Sequence, residues 1–143
     1  MNQRAEELKR RTFAFALAIV RLCRTLRETW EGRELSDQLF RSGTRVGANY
    51  RSACRARSHA DFVNKIGYVV EESDETIYWL ELIDAAHICP DTRLTSLIKE
   101  AGELWAIFNR SQLTAKARRP PVAARRREAP PESVNSSIRQ FVN

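Results

Sequence analysis

Helix-breaking residues are almost absent from the first 119 residues of this 143-residue chain. Four of its five prolines lie beyond residue 119, and Pro90 is the only proline before them. A strand-rich fold needs turn residues about every ten positions, whereas helices exclude proline from their interiors. A chain of this length also fits one domain with one core. We therefore predict an all-α fold.

Apolar side chains recur every three or four residues along four stretches, which is the spacing of one face of a helix. The stretches cover about residues 4–29, 35–56, 59–86 and 92–113. We predict that residues 1–115 form an antiparallel up-down-up-down four-helix bundle. The basic, Pro/Arg-rich tail of residues 116–143 is predicted to be disordered.

The helix ends follow from local signals. Trp30 continues the inner stripe of helix one, and Gly32 and Glu34 are expected in the first connection. Ser58 is predicted to cap helix three, and Asp91 or Thr92 to cap helix four, because short polar side chains accept hydrogen bonds from free amides there.

Gly43 and Gly47 are expected inside helix two. A glycine within a helix costs about 1 kcal/mol relative to alanine, so two of them need a compensating gain. Their spacing matches no phosphate-binding fingerprint. We therefore predict that a neighbouring helix packs closely against them.

Helices one and three have more apolar surface than one bundle seam requires, although a centrally packed helix would have a similar pattern. On helix three, large aromatic side chains mix with carboxylates on the outward side, as at protein interfaces. The predicted oligomer interface consists of Phe13, Leu17, Tyr68, Glu71, Glu75, Tyr78, Trp79 and Leu82.

Charge is distributed unevenly along the chain, whose net charge is +6. Residues 1–57 carry +7, residues 58–115 carry −6, and residues 116–143 carry +5. Two halves of opposite charge can join copies head to tail into a ring, or can neutralise each other within one bundle. Both interpretations stay open at this point.

The basic residues are candidates for binding nucleic acid or a partner protein. On helix two, four arginines fall within an arc of roughly 120° opposite the apolar stripe. The candidate contacts are Arg41, Arg45, Arg51, Arg55, Arg118, Arg119, Arg125, Arg126 and Arg127. The alternative is that the tail is only a solvated extension.

Asn49 and Glu72 are polar residues near predicted seams. Because a buried polar group needs a partner, we interpret the pair as a seam hydrogen bond rather than a functional site.

Other chemistry is not expected. Asp84 and His87 form one approximate Glu-x-x-His pair where a di-iron site needs two, so we predict no metal, no cofactor and no enzymatic activity. The longest apolar run is too short to span a membrane. Three widely spaced cysteines are typical of a protein from the reducing cytoplasm.

The segment SGTRVGANYRSACRARSHADFVNKIGYVVEESDETIYWLEL, residues 42–82, resembles the signature of the bacterial "four helix bundle protein" family. That family includes proteins encoded in intervening sequences of ribosomal RNA genes. The matching elements are residues 47–50, Asp61 with Phe62, and residues 72–80. The resemblance covers roughly residues 5–113 and leaves the tail outside.

The resemblance implies a homopentameric bundle with no known catalytic activity. The family is also similar to accessory proteins of diversity-generating retroelements, which are pentameric barrels that bind a reverse transcriptase and RNA. Two hypotheses follow. The chain is a homo-oligomeric, pentameric scaffold or adaptor; alternatively, it is an accessory protein that binds RNA or DNA and partners a reverse transcriptase.

Overall fold

The computed structural model describes residues 2–90 and 92–118, which form four α-helices and no strand. Helix α1 spans Gln3–Thr25, α2 Trp30–Cys54, α3 His59–Ala85 and α4 Arg93–Ala117. Consecutive helices pack side by side, and α4 returns to α1. Short connections make consecutive helices antiparallel. The predicted all-α four-helix bundle is confirmed.

All four helices contribute side chains to one hydrophobic core. Fully buried examples, one from each helix, are Ile19, Leu39, Leu80 and Phe108. The rings of Tyr50 on α2 and Phe108 on α4 lie 5.0 Å apart between centroids, so the diagonal helices also touch. Within the described part of the chain, no helix is long and apolar enough to cross a membrane.

Side-chain caps set the starts of three helices. Asn2 accepts a hydrogen bond from the Arg4 amide, Thr29 from the Gly32 amide and Ser58 from the Asp61 amide, each at 3.1 Å. The prediction for Ser58 is therefore confirmed. Helix α4 differs, because Thr92 makes no side-chain capping bond and Asp91 lies outside the described residues.

The first connection was predicted wrongly. Helix α1 ends at Thr25 rather than near residue 29, and α2 begins at Trp30 rather than near residue 35. The reason is that Thr29 caps α2, so Gly32 and Glu34 belong to that helix. Trp30 lies in its first turn with 71 % of its surface exposed, not on the inner stripe of α1.

The end of α4 also extends past the predicted limit at residue 113. Residues 114–117 remain helical because alanine and lysine are good helix formers and Ala115 is buried. The His59 ring donates a hydrogen bond of 2.8 Å from Nε2 to the Ala115 carbonyl oxygen, which ties this end to the start of α3. Lys116 and Ala117 therefore belong to the bundle, not to the tail; residues 119–143 lie outside the described residues.

The contact between α1 and α4 is the least extensive among the four neighbouring helix pairs. Arg11 on α1 joins the two helices there. Its Nε donates to Glu100 Oε1 at 2.6 Å and its Nη2 to Glu100 Oε2 at 2.8 Å, and Nη2 also reaches Glu103 Oε2 at 2.6 Å. These hydrogen bonds to Glu100 are the first cause of the raised pKa of Arg11. We call the three residues the Arg11 clasp.

Candidate interaction surfaces

Helices α1 and α2 approach closely because two glycines of α2 face α1. A Cβ atom on Gly43 would lie 2.9 Å from Ile19, and one on Gly47 would lie 3.2 Å from Thr12. Real Cβ atoms essentially never come as close as the first distance, and the second is tighter than nine in ten of their contacts. The prediction of tight packing at these glycines is confirmed.

This close approach leaves a shallow apolar groove on the outer side of the two helices. Its floor is built from small residues around a cavity of about 220 Å³ that Ala16, Thr44, Gly47 and Ala48 help to line. Phe13 also lines it, with 59 % of its surface accessible. Leu17 and Phe40 are exposed one helical turn from Phe13 and Thr44, with 40 % and 46 % of their surfaces accessible. We call these seven residues the α1–α2 groove.

Sequence reasoning predicted the exposure of Phe13 and Leu17 but missed Phe40. Phe40 directly follows the buried Leu39, and its position 100° away on the helix places it on the side that faces α1. That angle was readable from the sequence once α2 was known to pack on α1.

Basic side chains surround a larger opening at one end of the groove, where α1 begins and α2 ends. Its volume is about 570 Å³, and its lining consists of Glu6, Lys9, Arg10, Phe13, Arg51 and Arg55. The Arg51 guanidinium carbon lies 5.7 Å from the centroid of the Phe13 ring, within range of a cation–π contact. We call this opening the basic cavity.

The structure divides the arginines that the sequence grouped together. Arg51 and Arg55 line the basic cavity, whereas Arg45 lies on the α3 side, 3.6 Å from the Glu72 carboxylate. Arg41 is exposed one turn before Arg45 on α2, and Arg118 is exposed just after α4. The remaining candidates, Arg119, Arg125, Arg126 and Arg127, lie outside the described residues.

A second exposed surface runs along α3. Tyr68, Tyr78 and Leu82 are exposed there, with Glu71 and Glu75 between them. We call these five residues the α3 strip. At 100° per residue they share the outward side of the helix, as predicted.

Trp79 does not belong fully to this strip. It is half-buried and packs against the hydrophobic core, while its indole Nε1 donates to Glu75 Oε1 at 3.1 Å. Its ring also meets Tyr78 edge to face, with 4.9 Å between centroids. Trp79 therefore packs between the hydrophobic core and Tyr78 of the strip, and only part of its indole is accessible.

Trp30 and Leu113 are further exposed apolar side chains that no prediction singled out as surface residues. Leu113 lies on α4 and belongs to neither surface, with 58 % of its own surface accessible. Single exposed apolar residues of this kind are common on soluble proteins.

Glu72 lies at the seam between α2 and α3, but its partner there is Arg45 and not Asn49. Glu72 lies beside Arg45, and its Oε2 atom is buried without a hydrogen bond among the described residues. Asn49 is half-buried on the Arg45 side of α2, and no hydrogen bond of its side chain occurs within residues 2–90 and 92–118. The seam contact is therefore an ion pair between Glu72 and Arg45.

Burial raises the pKa of Glu72, and Arg45 offsets this effect only in part. A raised pKa means that Glu72 contributes stability below its unfolded-state pKa, and that this stability is lost as the pH rises through the folded-state pKa. We expect Glu72→Gln to increase the free energy of unfolding at pH 7, with the gain shrinking toward pH 4.

Urea unfolding at both pH values measures this effect. Glu81→Gln is the control, because Glu81 is exposed on the same helix. A Glu72→Gln variant that is less stable than the parent at pH 7 would show that the ion pair with Arg45 outweighs the burial of the carboxylate.

Comparison with known proteins identifies the bundle. The model of the 23S rRNA-intervening sequence protein family matches residues 5–110. A crystal structure of a protein with unknown function from the S23 ribosomal protein family of Bacteroides thetaiotaomicron is 32 % identical, with a TM-score of 0.71. The match covers 78 % of this chain and 99 % of that one. No curated protein matches.

The match spans most of the bundle, and it includes all of the segment on which the resemblance was recognised. The chain belongs to the family of 23S rRNA-intervening sequence proteins.

Proposed function

We propose that this protein is a homo-oligomeric scaffold or adaptor whose copies join head to tail, the α1–α2 groove of one copy receiving the α3 strip of the next. The observation that carries the proposal is that the two surfaces are both apolar, differ in charge and lie on different sides of the bundle. A ring of five is the assembly that the family resemblance implies.

The charges around the two surfaces favour pairing of unlike surfaces. Arg10, Arg21 and Arg24 lie on the outward side of α1 beside the groove, whereas Glu71, Asp74 and Glu75 accompany the strip. Groove against groove or strip against strip would bring like charges together. Groove against strip joins opposite charges, and such heterologous contacts close into rings when the rotation permits.

Shape supports the same pairing. The groove has a floor without large side chains, and the strip offers two tyrosines and a leucine that stand out from α3. Burying exposed aromatic and aliphatic side chains gives about 25 cal/mol for each Å² of apolar surface removed from water. Small residues opposite large ones allow the two helical surfaces to come close.

A scaffold needs no reactive group, and the groups on this bundle suit that role. Burial raises the pKa of the Cys23 thiol to about 11, so this cysteine stays protonated and unreactive. His59 is engaged with the Ala115 carbonyl. Among residues 2–90 and 92–118, no three His, Cys, Asp or Glu side chains gather as they would around a metal ion.

The test uses one charged substitution on each surface. We expect Leu17→Glu and Tyr78→Glu each to convert the oligomer into monomers in native mass spectrometry, because each places an unpaired carboxylate in the apolar contact. Leu113→Glu is the control, since Leu113 is exposed outside both surfaces, and it should leave the assembly intact.

Mixing the two variants makes the test specific for a head-to-tail contact. The Leu17→Glu copy keeps its strip and the Tyr78→Glu copy keeps its groove, so an equimolar mixture should form a heterodimer and no ring. A parent chain that is monomeric at micromolar concentration would overturn the proposal. The second candidate, a nucleic-acid-binding accessory protein that partners a reverse transcriptase, draws support from the basic residues concentrated on α1 and α2.

A further inference from the structure

The basic cavity holds more positive charge than its surroundings neutralise. Lys9, Arg10, Arg51 and Arg55 face a single carboxylate, that of Glu6. Lys9 is paired with Glu6 at 2.8 Å. Arg10, Arg51 and Arg55 are exposed and form no ion pair with any residue of the described chain. Within the described chain, three guanidinium groups are therefore without an anionic partner, although Arg55 Nε donates to the Arg51 carbonyl oxygen at 3.4 Å.

The positive field of the cavity acts on Glu6. Its pKa is lowered, first by the hydrogen bond from Lys9 and further by the charges of Arg10 and Arg51. The two arginines come from different helices, and both line the cavity together with Glu6. An anionic ligand in the cavity would experience the same field.

The geometry of the arginines suits a phosphate group. Arg51 and Arg55 are four residues apart on α2, so their side chains leave the helix on the same side, one turn apart. Arg10 lies across the cavity on α1. Guanidinium groups bind phosphate oxygens through two parallel N–H donors, which lysine cannot do.

Phe13 adds an aromatic surface to the same cavity. Phe13 has 59 % of its surface accessible, and the Arg51 guanidinium lies over one face of its ring. A nucleic-acid base stacks well on such a surface, whatever its sequence identity. A cavity with three arginines outside any ion pair of the described residues and one exposed ring therefore offers both contacts that a nucleotide needs.

We propose that the basic cavity binds a nucleotide unit, its phosphate held by Arg10, Arg51 and Arg55 and its base stacked against Phe13. The unit is either a free nucleotide or part of a single strand, because both present the same phosphate and base. This site deepens the nucleic-acid candidate above and rests on it. It shares Phe13 with the α1–α2 groove, so a nucleotide and the α3 strip of a neighbouring copy would compete for that ring.

The experiment measures fluorescence anisotropy of a labelled single-stranded uridine oligonucleotide with the full chain. In the double variant Arg51→Gln/Arg55→Gln, affinity should fall roughly tenfold or more, because charge-assisted hydrogen bonds to phosphate are lost. The slope of log affinity against log salt should decrease by about 0.7, the value for one phosphate contact of a single strand. Unlabelled uridine monophosphate as competitor distinguishes a site for free nucleotides from one that requires a strand.

The matched control is Arg33→Gln/Arg110→Gln, which removes the same charge from two exposed arginines outside the cavity. Its affinity should stay within about twofold of the parent. An equal loss in both double variants would overturn the site while leaving diffuse nucleic-acid binding intact. A parent chain that binds no oligonucleotide would overturn both the site and the nucleic-acid candidate.

Discussion

Gly32→Ala should destabilise the bundle by about 2 to 3 kcal/mol, although alanine is the better helix former. The reason is that an added Cβ would penetrate the carbonyl oxygen of Leu26 and also meet the Thr29 hydroxyl at 2.8 Å. The Leu26 oxygen belongs to the backbone, so no side-chain rotation relieves the clash. The connection between α1 and α2 has to move instead.

Gly102→Ala is the matched control and should have the opposite sign. Gly102 lies within α4, and no atom stands within 4 Å of an added Cβ there. Removing glycine from a helix interior stabilises by up to about 1 kcal/mol. Urea unfolding of both variants measures the difference; a neutral Gly32→Ala would mean that the first connection tolerates a shift.

Leu104→Ala should lower the free energy of unfolding by about 2 to 5 kcal/mol. Leu104 is fully buried within α4 and is part of the core cluster, so the deletion removes apolar burial and leaves a cavity. The exact loss depends on how far the neighbouring side chains can collapse into that space.

Leu113→Ala provides the comparison, because it makes the same chemical change on the same helix at an exposed position. We expect it to stay within about 0.5 kcal/mol of the parent. Denaturant unfolding at the same protein concentration allows direct comparison. Similar losses for both variants would contradict the packing of α4 described above.

The fold was predictable because helix periodicity and the shortage of helix-breaking residues can both be read from the sequence, without knowing how the helices pack. The first connection was not, because Leu26 is buried although it caps α1 rather than lying within it. Because Leu26 is apolar and lies four residues before Trp30, the apolar stripe of α1 continues to Trp30 in the sequence. The choice of Thr29 as a cap depends on a hydrogen bond to Gly32 that periodicity does not reveal.

The candidate surfaces were predictable only in part. The outward positions of Leu17, Tyr68 and Tyr78 follow from angles around a single helix. The pairing of Arg45 with Glu72 and the meeting of Arg51 with Phe13 depend on how far one helix is shifted along its neighbour. Contacts such as Gly47 against Thr12 set that shift, and no single-helix pattern contains it.

The Arg11 clasp has a consequence for the order in which the molecule assembles. It joins residues 89 positions apart in sequence, whereas the other helix pairs are neighbours along the chain. Closing a long loop costs entropy before any contact repays it, so local hairpins form sooner. We infer that α1 and α4 meet last during folding. The contact between α1 and α4 should also open first in local unfolding, so the amide protons of these two helices should exchange earliest.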